Sequence, residues 1–244
     1  MTCAIMPPLY LPELSYFDLI DQADTFVFLD DVTSSHASQV VDDEYKSRVK
    51  IVGISDKSIQ NNSGINFCDG TESLVLKNLE NIDLQYSNHS YFNQVFPFLW
   101  EIYNQPFKSD IEFNINLIEL IAFKIGIRSQ FYRSSRMSIQ FDLDFLDVIS
   151  KTCSITKCSN FLAPENFSKN VAMNTIGSNL NLNNIGLYLQ TYSHPLYNQL
   201  KTNQNNNFQI LDLLFCVGFD DARAIIKKGR TNTYYYEHFV NRSA

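Results

Sequence analysis

Cys3-Ala4-Ile5-Met6-Pro7-Pro8-Leu9-Tyr10-Leu11-Pro12, followed by Glu13 to Ala23 and then Thr25-Phe26-Val27-Phe28-Leu29-Asp30-Asp31, is the stretch that decides the fold. Cys3 to Met6 is a short apolar run that two prolines end, so it reads as a strand and a loop. Glu13 to Ala23 carries Leu14, Phe17, Leu19 and Ile20 at helical spacing. Thr25 to Leu29 is a second apolar run rich in β-formers, closed by paired carboxylates. Strand, helix and strand within about thirty residues make a βαβ unit, whose two strands should be parallel neighbours with a right-handed crossover. In such sheets ligands bind beyond the carboxyl ends of the strands. Pro7–Pro12 and Asp30–Asp31 both belong at that edge.

Further along, Val49–Ile54, Ser73–Leu76, Ser129–Ser134, Asn160–Ala163 and Ile185–Thr191 read as strands. Tyr91–Tyr103, interrupted by Pro97, reads as a kinked or broken helix. Ile111–Ile125 reads as a helix capped by Gly126. Phe141–Thr152, Phe208–Val217 and Asp220–Lys227 complete the helices. No Pro/Gly linker divides the chain. The expected architecture is one α/β domain over 1–244: a Rossmann-like parallel sheet with a helical C-terminal part. The βαβ unit occupies 3–32 and a helix-rich second half occupies about 91–230.

Composition narrows the function. The 244 residues are 45% hydrophobic and 18% charged, which suits a folded core and not a disordered chain. The net charge of −7 disfavours DNA and other non-specific nucleic-acid binding. The apolar runs are too short for a membrane span, and the start has no basic n-region of a secretory signal. Five cysteines, an odd number, point to reduced thiols and a cytoplasmic protein. Cys153 and Cys158 lie close but lack the tighter pairs and the histidine of a zinc knuckle. No G-x-G-x-x-G, P-loop, G-x-S-x-G or H-E-x-x-H motif occurs. No residue set is assigned to a metal.

Three groups remain as chemical candidates. Asp30-Asp31 at a strand end suits a divalent metal, a sugar hydroxyl or a ribose, or else one of them caps a turn. His194-Pro195-Leu196-Tyr197-Asn198-Gln199 follows a strand. Histidine is the usual general base near neutrality, and Tyr197 and Gln199 alternate with it; the alternative is a loop histidine packed on an aromatic ring. Arg48 and Lys50 suit a phosphate, or else a solvated face paired with Asp42 to Glu44. Tyr234-Tyr235-Tyr236 suits aromatic packing, or a sugar or partner surface.

Ala4-Ile5-Met6-Pro7-Pro8-Leu9-Tyr10-Leu11-Pro12, Tyr16-Phe17-x-x-Ile20 and Ala23 to Val32 resemble the N-terminal signature of the WbqC-like family. The likeness continues in Tyr91-Phe92-x-x-Val95-Phe96-Pro97, Ile125-Gly126-Ile127, Tyr197-x-Gln199 and Phe208-x-Ile210-Leu211-Asp212-Leu213-Leu214-Phe215, from about residue 4 to about residue 230. The family is bacterial and cytoplasmic, and its genes occur among those for O-antigen and other surface polysaccharides. The resemblance implies a transferase that moves an acyl or aminoacyl group, glycyl among them, to the amine of a nucleotide-linked amino sugar. On that reading His194 is the general base, and Asp30 and Asp31 orient the sugar hydroxyls or the amine. Tyr10 and Tyr16 stack on sugar or base, Arg48 and Lys50 contact a phosphate, and Tyr197 and Gln199 line the substrate site. The acyl donor is left open between a coenzyme A thioester, an ATP-derived adenylate and aminoacyl-tRNA, and a homodimer is left open as the assembly. Two other readings stand beside it: a metal-dependent glycosyl- or nucleotidyltransferase using the paired aspartates, and a non-catalytic nucleotide-sugar-binding protein. The chain departs from the family pattern at Pro7, where Gln is common, and at Ser15, where Gly is common. It also lacks the Trp and Asn-Arg pair usual after the aspartates; only Arg48-Val49-Lys50 resembles that stretch.

Overall fold

The computed structural model describes residues 1–31, 71–137, 145–164, 180, 183–198, 209–231 and 234–235. The strands are β1 (Thr2–Met6), β2 (Thr25–Phe28), β3 (Gln130–Arg133), β4 (Asn160–Ala163), β5 (Gly186–Leu189) and β6 (Tyr234–Tyr235). The helices are α1 (Leu14–Gln22), α2 (Thr71–Tyr86), α3 (Phe92–Tyr103), α4 (Asp110–Lys124), α5 (Phe145–Thr156) and α6 (Ile210–Lys228), with a 3₁₀ turn at Ser134–Arg136. The strands form one sheet in the order β3-β2-β1-β4-β5-β6. The first five are parallel, and β6 runs antiparallel to β5. The βαβ expectation holds: β1 and β2 are parallel neighbours in the register Cys3↔Thr25 to Met6↔Phe28. Among the described residues no helix is long and apolar enough to cross a membrane.

Alternation along each strand sorts the core into two layers. Ala4, Met6, Phe26, Phe28 and Leu162 face α1, α2, α3, α4 and α6. Cys3, Ile5, Val27, Phe161, Ala163, Leu187 and Leu189 face Val148, Ile149 and Cys153 of α5. Phe17, Phe26, Phe28, Phe113, Phe161 and Phe215 are fully buried. Each such ring is worth about 1.5–3 kcal/mol over leaving it in water. Cys3, Cys153 and Cys158 are buried free thiols, and Cys216 is a half-buried one.

Several elements differ from their sequence reading. Ser73–Leu76 is not a strand; it lies inside α2. Buried Val75, Leu79, Ile82 and Tyr86 recur at helical spacing, and the four-residue window was too short to reveal that period. Pro97 does not break α3, which runs on with Val95, Leu99, Ile102 and Tyr103 buried. The fifth helix is described from Phe145 to Thr156, and residues 141–144 of its sequence reading lie outside the described residues. The division of the C-terminal helical stretch agrees with its sequence reading: α6 consists of two helical stretches that meet at a non-helical Gly218, with φ 76° and ψ −177°. That backbone is almost restricted to glycine, and a Cβ there would stand 2.6 Å from the Tyr91 ring. Tyr234 and Tyr235 form the antiparallel edge strand. Val49–Ile54 lies outside the described residues.

Candidate active site at the carboxyl edge of the sheet

The chain leaves β1 toward β2 and β3 on one side, while β4 and β5 lie on the other. The order of the strands reverses at β1/β4, and an open parallel sheet has its ligand crevice at such a switch point. A small cavity of about 30 Å³ sits there, lined by Met6, Glu13, Ser15, Tyr16, Pro164 and Gln190 among others. It has room for about one water, so it marks a position and does not itself hold a sugar. A larger cleft of about 560 Å³ involves Glu119, Phe123, Arg128, Ser129 and Phe131. Arg128 and Ser129 precede β3, so that cleft borders the amino end of the sheet and not the ligand edge.

The loop after β1 is held through its carbonyls, as the prolines have no N–H to give. Tyr16 Oη donates to Pro7 O at 2.9 Å and Asn114 Nδ2 to Pro8 O at 3.0 Å. Ile210 N donates to Pro12 O at 3.2 Å, which fixes the start of α6 against the loop. Leu11 is 3% exposed at φ 46°, a left-handed conformation that leucine adopts at a cost. This pinning sets Glu13, the residue before α1, at the mouth of the site.

His194 follows β5 and meets Glu13 there, with Nε2 3.8 Å from Glu13 Oε2 and the side chain 23% exposed. Its ring stands edge-on to Tyr192 at 5.3 Å. Burial holds the imidazole below its usual range, and the Glu13 carboxylate only partly pulls it back up. The neutral, proton-accepting form is therefore the resting one at neutral pH.

Asp30 and Asp31 end β2 on the same edge, but they turn toward β3. Asp30 Oδ1 accepts from Ser134 Oγ at 3.0 Å and from Ser135 N at 2.9 Å, and Oδ2 accepts from Ser135 Oγ at 2.7 Å. Ser134 Oγ also bonds Asp31 Oδ1. Burial pushes the Asp31 carboxyl up; the Ser134 bond pulls it down, and the Asp30 charge adds to the rise. Three inter-strand steps separate β2 from β5, about 14 Å at strand level. The aspartates thus share an edge with His194 but are bonded on the side away from it.

The other candidates separate in the same way. Tyr16 is 5% exposed, with its ring against Phe17 and Phe26; it holds the Pro7 loop and presents no free face for stacking. Tyr10 is half-buried. Its hydroxyl shares a 2.8 Å hydrogen bond with that of Tyr103 and accepts from Asn78 Nδ2 at 3.3 Å; burial pushes its pKa up to about 12. Tyr197 donates to Asp212 Oδ2 at 2.7 Å. Arg48, Lys50 and Gln199 lie outside the described residues.

Sequence reasoning missed Glu13, Ser134, Ser135 and a buried charge network behind the site. Asp18 and Asp21, three apart on α1, have side chains 0% and 1% exposed. Arg230 binds Asp18 Oδ1 at 2.8 Å and Asp21 Oδ2 at 2.6 Å, and Arg223 binds Asp21 Oδ1 at 2.7 Å. Gln190 Nε2 bridges Ser15 O at 2.9 Å and Asp18 Oδ2 at 2.7 Å. Burial alone would raise the Asp21 pKa, but the Arg230 and Arg223 bonds outweigh it and hold it low. The one available signal was two acids at helical spacing on an otherwise apolar helix.

A comparison with curated proteins and one with solved structures each find no match. The profile of the WbqC-like protein family matches residues 7–224, a span that takes in the β1 loop, both aspartates, His194 and most of α6. By that match, over most of its length, the chain belongs to the WbqC-like protein family.

Proposed function

We propose that the protein is a transferase of bacterial surface-polysaccharide (O-antigen) biosynthesis, moving an acyl or aminoacyl group, glycyl among them, to the amine of a nucleotide-linked amino sugar. The observation that carries this reading is His194: a desolvated, neutral imidazole beside the switch point of a parallel sheet, facing the Glu13 carboxylate. An amine attacks only as the free base, so a positioned base is what amide formation asks of the protein. In the proposed step His194 takes a proton from the sugar nitrogen as that nitrogen bonds the acyl carbon. The bond from acyl carbon to leaving group then breaks, and the leaving group departs with the proton that His194 returns. Glu13 stabilises the imidazolium that forms between the two events.

Asp30 favours this reading over the metal-dependent one. Both of its carboxylate oxygens already accept from Ser134 and Ser135, which suits a structural anchor better than an open cation site. The test is incubation with nucleotide-linked amino sugars and each donor class, read as the mass gained by the sugar. Amide product is expected, and His194→Ala is expected to lower turnover by about 10²–10⁴. Unchanged kcat in that variant, or sugar binding without product for every donor, overturns the proposal.

A further inference from the structure

The turn between α2 and α3 and the first two turns of α6 bring together three side chains that the acyl-transfer step leaves unused. His89, Asp212 and Cys216 each offer one ligand atom, and these atoms lie within 4.8 Å of one another. Asp212 and Cys216 are one turn apart on α6 and share a face. His89 is delivered by a turn fixed through His89 N to Tyr86 O at 2.9 Å and Tyr91 N to Phe215 O at 3.3 Å. Its ring lies 5.0 Å from Tyr86 and 6.3 Å from Phe215, which limits its orientation. Nδ1 of that ring is buried and has no hydrogen-bond partner among the described residues, a costly state for a polar atom. All three residues are half-buried, so the group can be reached from solvent.

We propose that His89, Asp212 and Cys216 bind a divalent transition metal of the zinc class. Imidazole, thiolate and carboxylate form a borderline-soft donor set. Calcium and magnesium prefer all-oxygen surroundings, whereas zinc takes N, S and O together. Three protein ligands leave the fourth tetrahedral position open, the pattern of a reactive and not a purely structural site. Ligand atoms around tetrahedral zinc stand roughly 3.3–3.8 Å apart, given bond lengths near 2.0–2.3 Å. Binding therefore draws the three groups together by at most about 1–1.5 Å, and the Cys216 thiol gives up its proton to solvent. The 2.7 Å hydrogen bond from Tyr197 to Asp212 is the outer-layer partner that orients the carboxylate. Like the Glu13–His194 pair, the cluster belongs to the carboxyl edge, since α6 begins where Gln209 bridges Glu13. The site does not rest on the acyl-transfer reading.

The test titrates the chelator-stripped full chain with Co²⁺ and reads thiolate-to-cobalt charge-transfer absorption, then displaces it with Zn²⁺. A saturable band from one equivalent is expected. Cys216→Ser removes the charge-transfer band, His89→Gln weakens binding, and Tyr197→Phe weakens it by about 10–100-fold, as loss of an outer partner does. X-ray absorption of the zinc-loaded wild-type chain supplies a readout that needs no variant to fold: one sulfur and one imidazole are expected. Absence of the charge-transfer band, a band that survives Cys216→Ser, or a shell of two or three sulfurs overturns the site. The last outcome would place the metal on the buried thiols Cys3, Cys153 and Cys158.

Discussion

Two polar groups stand on the same edge of the sheet and are held in opposite ways. At the end of β2, the Asp30 carboxylate receives three hydrogen bonds from Ser134 and Ser135, so its charge is spent on joining β2 to β3. Beyond β5, His194 is desolvated, and the ionisable group it faces is Glu13, at 3.8 Å. A group saturated by protein donors is an anchor. One stripped of water beside a carboxylate is held neutral, in the form that accepts a proton. Position at a strand end is common to both; the partner set separates an anchor from a candidate base.

The largest expected effect tests that contrast directly. His194→Ala should cost about 10²–10⁴ in turnover with little change in Tm, while Asp30→Ala should spare chemistry. Equal losses of turnover in the two variants would break the comparison. Next comes the support behind Glu13. Asp18→Ala leaves Arg230 half-partnered under α1 and should destabilise by about 3–5 kcal/mol, measured by urea unfolding. A loss below about 1 kcal/mol would show that the clamp does not hold α1. Asp30→Ala should cost about 1–3 kcal/mol, since it strips Ser135 N and the Ser135 hydroxyl of their acceptor.

Two pH effects are smaller. The folded pKa of Asp21 is depressed, so its contribution is fully present above the unfolded value of about 3.9 and is lost as pH falls through the lower folded value. Asp21→Asn should therefore flatten the fall of stability below about pH 4; an unchanged slope would count against the clamp. For His194 the folded pKa is also depressed, so the acid limb of kcat/KM should lie below about 6.5. Glu13 raises that pKa, so Glu13→Gln should move the limb to still lower pH. A shift upward would remove Glu13 from the site.

Much of the fold was legible because it is local. The apolar runs Cys3–Met6 and Thr25–Leu29 and the helical spacing of Glu13–Ala23 specified a parallel pair and its crossover, as found. Ser109 caps α4 through Glu112 N at 3.1 Å, and Gly126 ends that segment at φ 86°. Ser73–Leu76 was misread because a short apolar run has no distinguishing period. The candidate site was legible only in part. His194 and the aspartates were found from strand-end position, but Glu13, Ser134 and Arg230 carry no local mark of their partners.

The sequence by itself determined most of the elements, the parallel start of the sheet, the family, and which titratable residues end strands. These follow from side-chain period, backbone stereochemistry and neighbours a few residues away. Only the tertiary structure decided how those residues are used. Ser134 lies 104 residues from Asp30, and Arg230 lies 212 residues from Asp18. Pairing over such distances is set by the order in which strands join the sheet and by where α6 packs on α1. A single sequence does not encode that order in any local pattern. The physical cause is electrostatic and geometric: a carboxylate or imidazole takes its proton affinity from desolvation and from the donors that folding brings within about 3 Å.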